Sequence, residues 1–188
     1  PHEEFLNTGG IMHGFQIWVN LPAKHKMMSP RYQEITAKDS PVVEKNGVWA
    51  RVIAGECMGV SSSIDTVIPI TLIHVKMEQG ARLNQKLDSN LNSMIYVFSG
   101  NVTIPKDTTA KTHPQTFGLG VKQQISDGEL ALLSDGDEII IESTDLSEFL
   151  ILAGPELNEP IARYGPFVMN TKQEIKQAFF DYQNGLFD

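Results

Sequence analysis

From Met94 to Phe98 every position is apolar, whereas the residues that follow alternate, with Val102 and Ile104 pointing one way and Asn101 and Thr103 the other. A strand with one solvated face alternates, so the unbroken run predicts a strand covered on both sides. Between the two, Ser99-Gly100-Asn101 supplies small residues able to take positive φ. Together these features predict a central hairpin, which suits a β-sandwich or small barrel better than an α/β fold.

The same period of two recurs along the chain. Phe15, Ile17, Val19 and Leu21 alternate with Gln16, Trp18 and Asn20, which predicts a strand over 14–21. Asn46-Gly47 is a hairpin signal joining Val42-Val43-Glu44 to residues 48–54. Over 67–77, Ile73, Val75 and Met77 share one face, and Leu72, His74 and Lys76 the other. A weaker strand is expected over 81–87. Short apolar pieces at 117–121, 129–133, 138–141 and 148–152 follow, punctuated by Asp127-Gly128 and Asp135-Gly136-Asp137. Many short strands at this spacing indicate an antiparallel sandwich or barrel.

Two stretches break the period. Residues 22–41 read as a linker with short helical pieces at 23–28 and 31–35. Near the C-terminus, Thr171 and Glu174 fit a capping box. Ile175, Ala178, Phe179 and Tyr182 then lie on one helical face, and Asn184-Gly185 supplies a stop. One amphipathic helix is therefore expected to pack on a sheet face of an all-β protein.

Composition narrows the function. The 188 residues are 41% hydrophobic, enough for a packed core, and carry a net charge of −8. That sign repels a phosphate backbone, and Lys24-His25-Lys26 is a small basic cluster, so no direct nucleic-acid binding is expected. A single cysteine, Cys57, excludes an internal disulfide and points to a reducing compartment. No apolar run approaches the roughly 20 residues of a membrane-spanning helix, so no membrane partner is expected.

Several motifs occur together in one order. His13-Gly14-Phe15-Gln16-Ile17-Trp18-Val19-Asn20-Leu21-Pro22 leads into Lys26-Met27-Met28 and Pro30-Arg31-Tyr32-Gln33-Glu34. Ile53-Ala54-Gly55-Glu56 and Gly165-Pro166-Phe167-Val168-Met169-Asn170-Thr171 come later. This combination resembles the pirin family of the cupin superfamily over essentially the whole chain. The resemblance implies a bicupin whose amino-terminal barrel holds one iron with three histidines and a glutamate, in His-Pro-His-type and His-x-Glu-type motifs. Neither motif is found here. By resemblance, residues 1–21 are the last-strand remnant of that metal barrel and 22–41 the linker. Residues 42–188 are then the carboxy-terminal cupin barrel with its terminal helix. The expected fold is a bicupin fragment of double-stranded β-barrel or sandwich type.

The chemistry of such an iron site needs imidazoles and a carboxylate converging from neighbouring strands. His2, His13, His25, His74 and His113 are scattered, with no His-x-His pair. His2-Glu3 is adjacent, but consecutive strand residues face opposite ways. No metal ligand and no catalytic residue is therefore assigned in this chain, and iron is expected in the intact family member. Gln16, mid-strand and opposite the apolar face, is carried over as a pocket-lining residue of an intact pirin, with His13 beside it. His74 is expected to be solvated, Trp18 and Trp49 to be packing residues, and Cys57 to be a buried inert thiol. Asp135, Asp137 and Glu138 read as a solvated acidic turn.

The resemblance implies a transcription co-regulator of nucleus and cytoplasm. Its partner would be a protein, either a transcription factor or the amino-terminal barrel, and this portion would act as an interaction module. Alternatives are a part of an iron-dependent quercetin 2,3-dioxygenase whose ligands lie upstream of Pro1, or a cupin binding a small ligand. The strand over 14–21, without its sheet neighbours, is expected to be disordered, to dimerise through its edge, or to dock on the second barrel.

Overall fold

The computed structural model of the chain describes residues 7–11, 13–105 and 124–187. Two compact units emerge, Met27–Asn158 and Pro1–Lys26 with Glu159–Asp188.

The first unit is an antiparallel double sheet. Its strands in chain order are β1 (Val42–Lys45), β2 (Val48–Ala54), β3 (Glu56–Cys57), β4 (Val60–Ser61), β5 (Thr71–Met77) and β6 (Arg82–Lys86). Then come β7 (Leu91–Ser99), β8 (Asn101–Thr103), β9 (Gln124–Ser126), β10 (Leu130–Leu132), β11 (Glu138–Ser143) and β12 (Ser147–Pro155). Six strands form one sheet in the order β1-β2-β5-β12-β7-β10, and four form the other in the order β6-β11-β8-β9. Alternation along β2 buries Val48, Ala50, Val52 and Ala54 and turns Trp49, Arg51 and Ile53 outward. Ile73, Val75 and Met77 of β5 are likewise fully buried. They share a single core with Leu83, Val102, Ile125, Ile139 and Ile141 of the opposite sheet. Among the described residues the edges β1, β10, β6 and β9 are not joined, so the described architecture is a sandwich rather than a closed barrel.

The Asn46-Gly47 hairpin forms as expected, with Lys45 opposite Val48 and both turn residues at positive φ. The hairpin expected at Ser99-Gly100-Asn101 does not. β7 pairs with β12 and β10, whereas β8 pairs with β11 and β9. The turn instead carries the chain from one sheet to the other, and so do the connections β5–β6, β6–β7, β9–β10, β10–β11 and β11–β12. This is the path of a jelly roll, which places consecutive strands in facing sheets.

A hydrogen-bonded corner fixes that crossing. Gly100 has φ +71°, and a Cβ there would collide with the Leu146 carbonyl and lie 2.8 Å from Asp145 Oδ1. Asn101 donates its backbone N–H and its side-chain amide to the Asp145 carboxylate, both at 2.7 Å. The buried Ser147 hydroxyl donates to the Asn101 carbonyl at 2.8 Å.

The second unit holds a 3-10 turn at Ala23–His25, strands β13 (Ala162–Tyr164) and β14 (Phe167–Met169), and helix α1 (Lys172–Gln183). The capping box is present, with Glu174 N–H donating to Thr171 Oγ1 and Thr171 N–H to Glu174 Oε2. The helix packs on the β13–β14 ribbon, where the Phe179 ring lies 5.0 Å from Phe167 and 5.5 Å from Tyr164. Ile175 and Ala178 are buried as expected, but Tyr182 is 64% exposed. Its ring meets Phe167 of β14 edge-on at 6.1 Å, and the two-stranded ribbon leaves the rest of it in solvent.

The strand expected over 14–21 is not formed, because no described strand pairs with it and a strand is completed by its ladder. The helical piece expected at 31–35 is also absent. Arg31 and Gln33 instead reach across to Asp65, which holds that segment extended. The strand expected at 117–121 lies outside the described residues.

Candidate functional site

In a cupin the interior between the sheets is where a metal would be held. Here the described interior is filled by Val48, Val75, Met77, Ile95, Phe149, Ile151 and their neighbours. Its polar members include Ser143 and Ser147 at the Gly100 corner and Gln85, which donates to the carbonyls of Glu56 and Lys86 at 2.8 and 2.7 Å. Cys57 is buried, and burial together with the charge of Glu56 pushes its thiol up to about 11. That thiol stays protonated and inert. Among the described residues no three His, Cys, Asp or Glu side chains gather closely enough to hold a metal ion. These residues do not fit an iron centre. His2 and His113 lie outside the described residues.

The outer face of the six-stranded sheet is chemically richer. Register places Trp49 beside Lys76, Arg51 beside His74, and Leu150 between His74 and Tyr96. Glu148 accepts from Lys76 Nζ at 3.0 Å and from His74 Nε2 at 3.1 Å. Burial lowers the His74 pKa; Glu148 opposes that and the Lys76 and Arg51 charges add to it. Near neutral pH the His74–Glu148 contact is therefore a hydrogen bond from a neutral imidazole, and Lys76 carries the ion pair. Burial raises the Glu148 pKa, but the bonds from Lys76 and His74 outweigh it and hold the group below the usual carboxylate range. The Trp49 and Phe98 rings flank His74 at 5.3 and 5.6 Å. Those rings are why His74, expected to be solvated, has a side chain only 22% exposed.

Beside this cluster a cleft of about 260 Å³ opens on the outward side of β2, lined by Ile35, Thr36, Ala37, Ser40, Arg51, Ile53 and Ile64. Two clamps shape it. Arg31 donates to the Asp65 carboxylate at 2.5 Å and to its carbonyl at 2.8 Å, and Gln33 also donates to that carbonyl. Val52 N–H donates to the Pro41 carbonyl at 2.9 Å, tying the end of the lining segment to β2. Arg51 is part of the lining, its guanidinium 5.4 Å from the Trp49 ring, and its Nε is buried without a hydrogen-bond partner among the described residues.

His13 and Gln16 are both exposed, and neither lines this cleft. The His13 ring lies 5.0 Å from Phe15. Trp18, expected to pack, is exposed and carries the Arg163 guanidinium at 5.7 Å, because the ladder that would cover it is not formed. Trp49 is half-buried between Arg51 and Lys76. Sequence reasoning missed Arg51 and Ser40. The signal available was the outward triplet Trp49, Arg51, Ile53, too apolar for a solvated face. Among the described residues no helix is long and apolar enough to cross a membrane.

A family profile described as Pirin C-terminal cupin domain matches residues 72–188, more than half of the chain. Pirin of Mus musculus is 38% identical over 185 residues, covering 97% of this chain and 60% of that protein. A pirin-like protein of Solanum lycopersicum is 34% identical, covering 98% and 60%. The chain thus spans about 60% of the length of these relatives. Among solved structures, a quercetin 2,3-dioxygenase from Acinetobacter baumannii superposes with a TM-score of 0.77 at 33% identity, covering 90% of this chain and 55% of that one. The double sheet, the terminal helix and these likenesses agree: the chain belongs to the pirin family, and its sandwich is a pirin-type cupin.

Proposed function

We propose that this chain is the partner-binding portion of a pirin-type bicupin, without an oxygenase centre of its own. In this reading residues 1–21 complete the amino-terminal barrel, 22–41 link the barrels, and 42–188 form the second barrel with its helix. The observation that carries it is the exposure of Phe15, Ile17, Trp18 and Val19, at 43, 38, 56 and 46%. Four large apolar side chains left open within five positions form a surface that favours a protein partner. The partner is the amino-terminal barrel or a transcription factor, in a nuclear and cytoplasmic co-regulator, as the pirin resemblance implies.

The test is sedimentation of the chain alone and with a purified amino-terminal pirin barrel. A one-to-one complex, abolished by Ile17→Ser with Trp18→Ser, is the expected result. A monomer indifferent to the barrel would overturn the reading, and self-association lost in the same variant would move the partner to a second copy of this chain.

A second reading, part of a quercetin 2,3-dioxygenase, is favoured by the likeness to the Acinetobacter baumannii structure. Iron content and quercetin turnover decide between the two. Far less than one iron per chain and no turnover are expected of these 188 residues, and stoichiometric iron with turnover would sink the first reading.

A further inference from the structure

We propose that the cleft on the outward side of β2 binds a small apolar carboxylate, with Arg51 as its anion anchor and Ser40 as a second donor. This does not depend on the function proposed above.

Glu34 and Glu44, the exposed acids nearest in the chain and on the neighbouring strand, make no ion pair with Arg51 among the described residues, and three further acids near the cleft already have partners. Asp39 accepts from the Thr36 hydroxyl and backbone N–H, at 2.6 and 3.2 Å. Asp65 is held by Arg31 and Gln33, whereas Glu148 is held by Lys76 and His74. Among the described residues, Arg51 therefore has no acidic partner, and its Nε–H is both buried and unbonded. A buried, unpaired donor on a permanent cation is a standing demand for an acceptor.

The walls say what kind of acceptor. Ile35, Ala37, Ile53 and Ile64 are apolar, and the polar lining besides Arg51 comes from Thr36 and Ser40. Thr36 spends its hydroxyl on Asp39. Ser40 is nearly buried, and no protein group engages its hydroxyl among the described residues. One cation and one free hydroxyl in an apolar slot suit a monoanion on a hydrophobic body. A phosphate would have to shed its hydration against isoleucine.

Size favours a small ligand. Pockets for drug-sized molecules run from about 300 to 1,000 Å³. At about 260 Å³ this cleft takes a single ring or a short chain. The Arg31 and Gln33 clamps on Asp65 hold its rim before any ligand arrives, which reduces the ordering cost of binding.

The experiment titrates the full chain with benzoate, with benzamide as its neutral isostere and with inorganic phosphate. Binding is followed by calorimetry and by the Arg51 Nε–Hε resonance. Saturable benzoate binding with Kd below about 1 mM is expected, with benzamide and phosphate each at least tenfold weaker. Arg51→Met should weaken benzoate at least tenfold, and Ser40→Ala less. Ile64→Trp fills the slot from its apolar wall while keeping Arg51 itself, and should abolish binding with the fold intact. No saturable benzoate binding, equal binding of benzoate and benzamide, tighter binding of phosphate, or undiminished binding by a folded Arg51→Met or Ile64→Trp variant would each overturn the proposal.

Discussion

The sandwich and the terminal unit solve burial in opposite ways. In the sandwich, residues far apart in sequence pair across two sheets, and Ile73, Val75, Ile95, Val97, Ile141, Phe149 and Ile151 are wholly removed from water. The terminal unit relies on a two-stranded ribbon and one helix. Ile175 and Ala178 are buried there, while Tyr164, Phe180, Tyr182 and Phe187 stay exposed. Rings stack on one another, as Phe167 does on Phe187 at 5.7 Å, without closing over a core. Single strand pairs are marginal without further cover. The sandwich therefore carries its stability internally, and the terminal unit has apolar surface left for something else to hide.

The sharpest way to break this contrast is to remove one large ring from each unit. Phe149→Ala should cost about 3–5 kcal/mol in denaturant unfolding, because it empties a sealed core site. Phe179→Ala, at a half-buried ring, should cost less than half as much. Equal losses would mean that the two units share one cooperative core.

Gly100→Ala tests the corner that directs the jelly roll. With φ at +71° and the Leu146 carbonyl in the way, the variant should lose about 2 kcal/mol or more. A loss under about 0.5 kcal/mol would mean the corner relaxes freely. A smaller effect, confined to the terminal unit, is expected of Thr171→Ala. It removes the N-cap and should cost about 1 kcal/mol, read as faster amide exchange in the first turn of α1 with β5 and β12 unchanged.

The smallest effects are in pH. Side-chain and backbone hydrogen bonds from Asn101 hold the Asp145 carboxyl below its ordinary value. Its contribution is therefore complete above about pH 4 and fades as pH falls through the lower folded value. Asp145→Asn should flatten the acid limb of sandwich stability below about pH 4. His74 is also depressed, with burial as the main cause. Its neutral form is favoured in the fold, so its contribution is present above about pH 6.5 and is lost as pH drops below that. His74→Gln should remove this slope, and stability rising on acidification between about pH 6.5 and 5.5 would contradict the assignment.

Much of the fold is written in the order of residues. Period-two alternation identified the inward face of β5, Ile73, Val75 and Met77, residue by residue, because burial on one side of a pleat is a local pattern. Asn46-Gly47 and the Thr171–Glu174 box were equally local, since their geometry closes within four residues. The turn at Gly100 was located and its role misjudged. A Gly turn between two apolar strands reads the same whether the strands pair or face each other. Only the partners, β12 for one and β11 for the other, separate the cases.

The chain alone therefore determined which residues avoid water, where the backbone must take positive φ, and which family the molecule joins. Tertiary structure decided what those faces meet. It brought Glu148 to His74 and Lys76 across 72 or more positions of sequence, left Arg51 without an acid, and folded the 35–40 segment over β2. The physical reason is range. Alternation and turn chemistry act between neighbours, whereas charge pairing and cleft formation depend on a register that only the assembled sheets supply.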